Sequence, residues 1–192
     1  MKKLSVIIAT VLFSFGVANA VVVPTGDDDN TATHAVSINI PTVALVDVEG
    51  SDGEAISINL APDVSALEAG EAVDFSTAND NSLWLNYTSV VASDQTRSVT
   101  ASISGTLPVG VSLKLQAGGI STGNGTRGSS AGQITLTETG QNVVTGIGSA
   151  YTESGENKGH QLTYTLDMNN SSYASLVADD NYNVTVTYTI TE

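Results

Sequence analysis

The stretch "DDNYNVTVTYTITE", residues 179–192, decides the fold. Tyr182, Val184, Val186, Tyr188 and Ile190 fall on one side of an extended chain, and Asn183, Thr185, Thr187, Thr189 and Thr191 on the other. A strict two-residue period over ten positions, rich in Val, Thr and Tyr, predicts a half-buried β-strand. The same period recurs upstream. It places Val36, Ile38 and Ile40 together in "HAVSINI", and Ile56, Ile58 and Leu60 in "AISINL". Further alternating runs are "SLWLNY" (82–87), "SVTASI" (98–103), "VSLKLQA" (111–117), "QITLT" (133–137) and "HQLTYTL" (160–166).

Turn-forming clusters separate these runs: "EGSDGE", "NDNS", "LPVG", "ESGENKG" and "ADDN". No amphipathic helical pattern competes; "PDVSALEAGE" and "SSYASLV" around Ala174 are each compatible with a helical turn and are expected to bridge one sheet to the other. Short alternating strands at close spacing predict an all-β protein, an antiparallel immunoglobulin-like β-sandwich of about 8–10 strands.

The 192-residue chain opens with Lys2 and Lys3, a mostly apolar run from Leu4 to Val17, and the small-residue site Ala18-Asn19-Ala20. That order predicts a signal peptide over 1–20, with a run too short to span a bilayer comfortably. The expected organisation is then a flexible acidic leader over 21–33 and a single sandwich domain over 34–192. The expected location is outside the cytoplasm of a bacterium: extracellular, on the cell surface or in the periplasm. No integral membrane segment is expected after signal cleavage.

Beyond residue 20, four basic residues face twenty acidic ones, a net charge of −16. Nucleic acid and anionic membranes recruit basic patches, so neither is an expected partner. The chain has no cysteine, which excludes a disulfide framework and a thiolate metal site.

The strand positions assigned outward carry Ser, Thr, Asn and Gln with Lys114 as an exception, while acidic residues gather in turns. Charged side chains on edges ordinarily deter edge-to-edge pairing. Their scarcity has two explanations: the ordinary strand propensity of Thr, or a surface suited to association.

Several motifs bear on chemistry. "GSSAG" (128–132) has the literal form of a nucleophile elbow, but it sits in a Gly/Ser/Thr run followed by a strand pattern, not a helix. That run, "GGISTGNGTRGSSAG" (118–132), is expected to be a long hairpin loop or an irregular crossover. Asp47, Glu49, Asp52 and Glu54 cluster around a Gly-rich turn and are candidate calcium ligands, although their spacing misses the twelve-residue calcium loop. No other cofactor is expected. His34 and His160 have no metal-ligand spacing, and each begins an alternating segment, which predicts exposed strand ends. Trp84, Tyr87 and Tyr151 are the candidate platform for stacking a glycan or other ligand, against the alternative that Trp84 belongs to a core. No acid, base and nucleophile converge in the pattern, so a non-catalytic protein is expected.

The ending, a turn followed by Tyr182 and a Val/Thr strand, resembles that of many exported bacterial immunoglobulin-like subunits, fimbrial subunits of the chaperone-usher route among them. In such subunits a leader segment completes the neighbouring subunit's sandwich. The resemblance implies that role for "VVVPTG" or, better, for "THAVSINIPTV" through Val36, Ile38 and Ile40. Many of these subunits carry a disulfide, which this chain cannot. That departure points to a cysteine-free relative or to an unrelated surface protein. The expected function is therefore a structural or adhesive surface component, whose partners are itself or other surface subunits. The alternative is a secreted module that binds a carbohydrate or another ligand.

Overall fold

A computed structural model describes residues 31–50, 56–178 and 182–191. Within them lie nine strands: β1 (Val43–Glu49), β2 (Asn79–Val90), β3 (Arg97–Gly105), β4 (Val111–Ile120), β5 (Asn124–Ser130), β6 (Gln133–Thr135), β7 (Gln141–Tyr151), β8 (His160–Met168) and β9 (Val184–Ile190). All pairings are antiparallel. Two 3₁₀ turns, Phe75–Thr77 and Asn170–Ser175, are capped by the side chains of Asp74 and Asn169. The chain divides into two units, 1–38 and 39–192, and the strands belong to the second.

Strand β2 organises the sheet. Along one edge it pairs with β1 over Trp84–Val90; its other edge is shared, with β8 over Asn79–Leu85 and β7 at Thr88 and Ser89. One layer therefore runs β1-β2-β8-β4-β6 and the other β5-β7-β3-β9, joined where β2 passes from β8 to β7. The inward rows of both layers supply one core. Leu85, Leu113, Leu115 and Leu162 come from the first, and Val99, Ala101, Val144 and Ile147 from the second. This is the all-β, sandwich-like fold that the alternation predicts, and its nine strands fall within the expected number.

The segment 141–151 shows why one central strand escaped the pattern. The register steps from Val99↔Val144 to Thr100↔Asn142, so Val143 is an extra residue on β7. A second irregularity lies between Arg97↔Ile147 and Val99↔Val144, where Gly146 adopts a φ of +72°. Such bulges break the two-residue period, and both Val143 and Val144 become buried. The Gly-rich run is likewise not the expected loop. Its residues 124–130 form β5, paired to β7 over 144–151. "GSSAG" ends that strand, and β6 follows it rather than a helix.

Conversely, residues 34–40 and 56–60 alternate well but carry no strand assignment. Ile58 and Leu60 still pack against the core, whereas Val36, Ile38 and Ile40 are exposed. A helical turn forms at Asn170–Ser175, around Ala174, while 65–70 holds only hydrogen-bonded turns. The segments 1–20 and 21–30 lie outside the described residues. Among the described residues no helix is long and apolar enough to cross a membrane.

Glycines set the tightest backbone approaches. At Gly159, with φ +69°, an added Cβ would lie 2.1 Å from the carbonyl oxygen of Leu85, whereas at Gly132, with φ +87°, it would meet nothing within 4 Å. Gly132→Ala is expected to cost about 1–2 kcal/mol, the left-handed backbone penalty alone. Gly159→Ala should cost clearly more, because the β2 backbone must also shift. Urea unfolding monitored by circular dichroism measures the difference.

Candidate functional site

The two layers do not present the same surface. On the outer face of the β3–β9 pair, Thr100 lies opposite Thr189, Ser102 opposite Thr187, and Ser104 opposite Thr185. The threonines of β9 are exposed, and no charged residue interrupts these three rows. The first layer differs: Lys114 of β4 and Asp167 of β8 form an ion pair of 2.7 Å on its outer face. The charge-poor outward surface expected from sequence is thus concentrated on one layer.

That layer ends at β9, which pairs only with β3 among the described residues. On the same side of the sandwich the first layer ends at β1, which among the described residues pairs only with β2. Some Cα atoms of β1 and β9 come within 8 Å of one another, yet no ladder forms between them. The inward row of β9, Val184, Val186, Tyr188 and Ile190, packs on the core but stays only half-buried, as do Val46 and Val48 of β1. Two open edges flanking half-buried apolar rows can accept an extended segment, because such a strand satisfies their free N–H and C=O groups and covers their side chains.

Tyr188 also fixes β9 from within, its hydroxyl 2.6 Å from that of Tyr164 on β8. Burial raises the pKa of both phenols, so each remains a neutral hydrogen-bonding group. At the far end of β9, Arg97 donates to the carbonyl of Thr191 at 2.7 Å, and Ser98 N–H to Thr191 Oγ1 at 2.8 Å.

The expected donor residues Val36, Ile38 and Ile40 are exposed by 71%, 82% and 76%. The aromatic candidates occupy dissimilar positions. Trp84 is half-buried, Tyr87 is buried in the core, and Tyr151 is half exposed at the end of β7. Tyr87 therefore offers no ring face to solvent. Of the candidate calcium ligands, Asp52 and Glu54 lie outside the described residues. Asp47 accepts from the Val48 N–H at 2.8 Å, and Glu49 lies 3.5 Å from Ser154 Oγ. Among the described residues no group of three His, Asp or Glu side chains could hold a metal. A shallow depression lined by Val73, Asp74, Phe75, Asp167, Met168 and Asn170 has its carboxylates engaged, Asp74 by Ser76 and Asp167 by Lys114.

His34 is exposed as expected, but His160 is not: it is only 1% exposed. Its first place in an alternating run suggested a strand end in water. It is enclosed between β4 and β2 instead, facing Gly118 of the one and Tyr87 of the other. Its Nδ1 lies 2.7 Å from the Gly118 carbonyl oxygen, and its Nε2 lies 3.0 Å from the Tyr87 hydroxyl. The two rings stack with centroids 5.8 Å apart. Tyr87 in turn donates to the carbonyl of Arg127 on β5. Around this chain, Thr152 bonds both the N–H and the carbonyl of Tyr87, and Thr122 Oγ1 receives the Gly159 N–H. Sequence offered no signal for this cluster, because its members are spread from residue 87 to 160.

No family model, curated protein or solved structure matches the chain.

Tyr87→Phe should leave the packing intact while removing the hydroxyl shared by His160 and the Arg127 carbonyl. The expected cost is about 1–3 kcal/mol, the penalty of a buried polar group without a partner, read from the shift in urea midpoint at constant slope.

Proposed function

We infer that the protein is a non-catalytic, self-associating structural subunit, joined by strand addition at the β1 and β9 edges. The observation that carries this reading is the pair of open edges with half-buried apolar rows beneath them. A complementary segment exists in the same chain. Residues 34–40 alternate with the same two-residue period, carry His34 as their single titratable side chain, and expose Val36, Ile38 and Ile40. Added as a strand in a second copy, these three side chains would face the row from Val184 to Ile190 and exclude water from it.

Geometry sets one requirement. A strand seated between β1 and β9 needs two inter-strand spacings, about 9.5 Å in all. The edges approach more closely than that in places, so they must part as the segment enters. The uncharged Thr/Ser rows on the outer face of β3 and β9 support the reading independently, since they omit the charged side chains that blunt exposed edges. Export across the bacterial inner membrane, expected from residues 1–20, is part of this proposal, as is an extracellular or surface location.

The test uses the chain lacking residues 1–20 and light scattering at increasing concentration. The unaltered protein is expected to form assemblies larger than a monomer. Ile38→Asp changes an exposed side chain, so it should leave the urea midpoint within about 0.5 kcal/mol while abolishing those assemblies. Deleting residues 21–41 should do the same. A protein that stays monomeric at high concentration, with or without calcium, would sink the proposal.

A further inference from the structure

The hydrogen-bond chain Gly118–His160–Tyr87–Arg127 contains one more link than a neutral histidine can supply with protons. Both ends are backbone carbonyls, which only accept. Nδ1 must therefore carry a proton to meet Gly118, and in a neutral ring Nε2 is then an acceptor. Tyr87 has a single hydroxyl proton for two acceptors, His160 Nε2 and the Arg127 carbonyl. A second proton on the ring would complete all three links, because Nε2 would donate to Tyr87 and Tyr87 to Arg127.

That gain is opposed by the placement of the charge. The ring is buried, and among the described residues the groups facing it offer no carboxylate. Tyr87 faces it from β2, the Gly118 carbonyl from β4, and Arg127, a cation, from β5. In the adjoining loop, Glu153 is committed to Lys158 at 2.6 Å, and Glu156 is exposed. One neutral hydrogen bond is a small gain, whereas a buried cation with no counter-charge beside it is a larger cost. The neutral ring wins.

We propose that His160 is an acid-sensitive latch at the junction of the layers: neutral and protonated on Nδ1 it joins β8 to β4 and packs on Tyr87, whose hydroxyl ties β2 to β5, and its protonation destabilises that junction by placing a charge in the buried site. The tie crosses from one layer to the other because Tyr87 belongs to the first and Arg127 to the second. Burial, with Arg127 adding to it, lowers the imidazole pKa below its ordinary value of 6.5, against the opposing Gly118 hydrogen bond. Burial likewise holds Tyr87 protonated by pushing its pKa up to about 12.

The sign follows from linkage. Below pH 6.5 the unfolded chain takes up a proton that the folded chain refuses, so the folded state loses ground as pH falls. The contribution is complete above about pH 6.5 and is lost progressively below it. Exposed carboxylates titrate mainly below about pH 5, which leaves an interval in which the histidine dominates.

The test combines two measurements on the full chain. In nitrogen-15 imidazole spectra, His160 should appear as the Nδ1–H tautomer and remain neutral at pH 6 while the protein is folded. In urea unfolding, the folding constant should fall by up to about tenfold per pH unit below pH 6.5, and His160→Gln should remove that dependence. A folded-state imidazole that is doubly protonated at pH 6 would overturn the latch. So would parallel pH profiles for the two proteins. If His160→Gln does not fold, the tautomer and titration of the unaltered chain decide the matter.

Discussion

The pairing of β2 with strands of both layers is the constraint on which the rest of the structure depends. A twelve-residue strand flanked by β1 on one side and by β8 and then β7 on the other fixes the relative position of the two layers. At the crossing, Thr152 and Tyr87 exchange backbone and hydroxyl hydrogen bonds where neither residue meets water. Buried backbone groups must be paired, so this junction also dictates the course of loop 152–159. Gly159 is required there by its close approach to the Leu85 carbonyl.

Among the described residues, the side of the sandwich bounded by β1 and β9 has no such junction. There the layers end in β1 and β9, which stand near each other without a ladder. The fold is thus tied at the β2–β7 crossing by backbone bonds and by the Tyr87–His160 chain, and left without a ladder where β1 and β9 end the layers. This asymmetry links stability to the proposed association. The tied side holds the layers in register, while the untied side retains backbone groups and apolar rows that an added strand can satisfy.

Strands with one inward and one outward face were legible. β3, β4, β8 and β9 each contain a predicted run, and their apolar residues point inward as the period requires. Strands that depart from that simple state were not. β7 hides behind two bulges, β5 is mostly Gly, Ser and Thr, and β1 mixes apolar residues on both faces, with Leu45 exposed. Residues 34–40 present the reverse case, since their pattern is that of a strand while no strand forms there. Alternation reports that a segment suits a half-buried sheet; it does not say which sheet supplies the partner.

By itself the sequence determined the all-β class, the inward rows of the regular strands, the absence of cysteine chemistry and the strongly acidic balance. Each is a property of local period or composition, and neither needs knowledge of neighbours. The tertiary structure alone decided which edges remain open, which layer carries the uncharged Thr and Ser rows, and that His160 is enclosed. These depend on register and on contacts between residues as distant as Tyr87, Arg127 and His160, and no local pattern encodes a meeting across more than seventy positions.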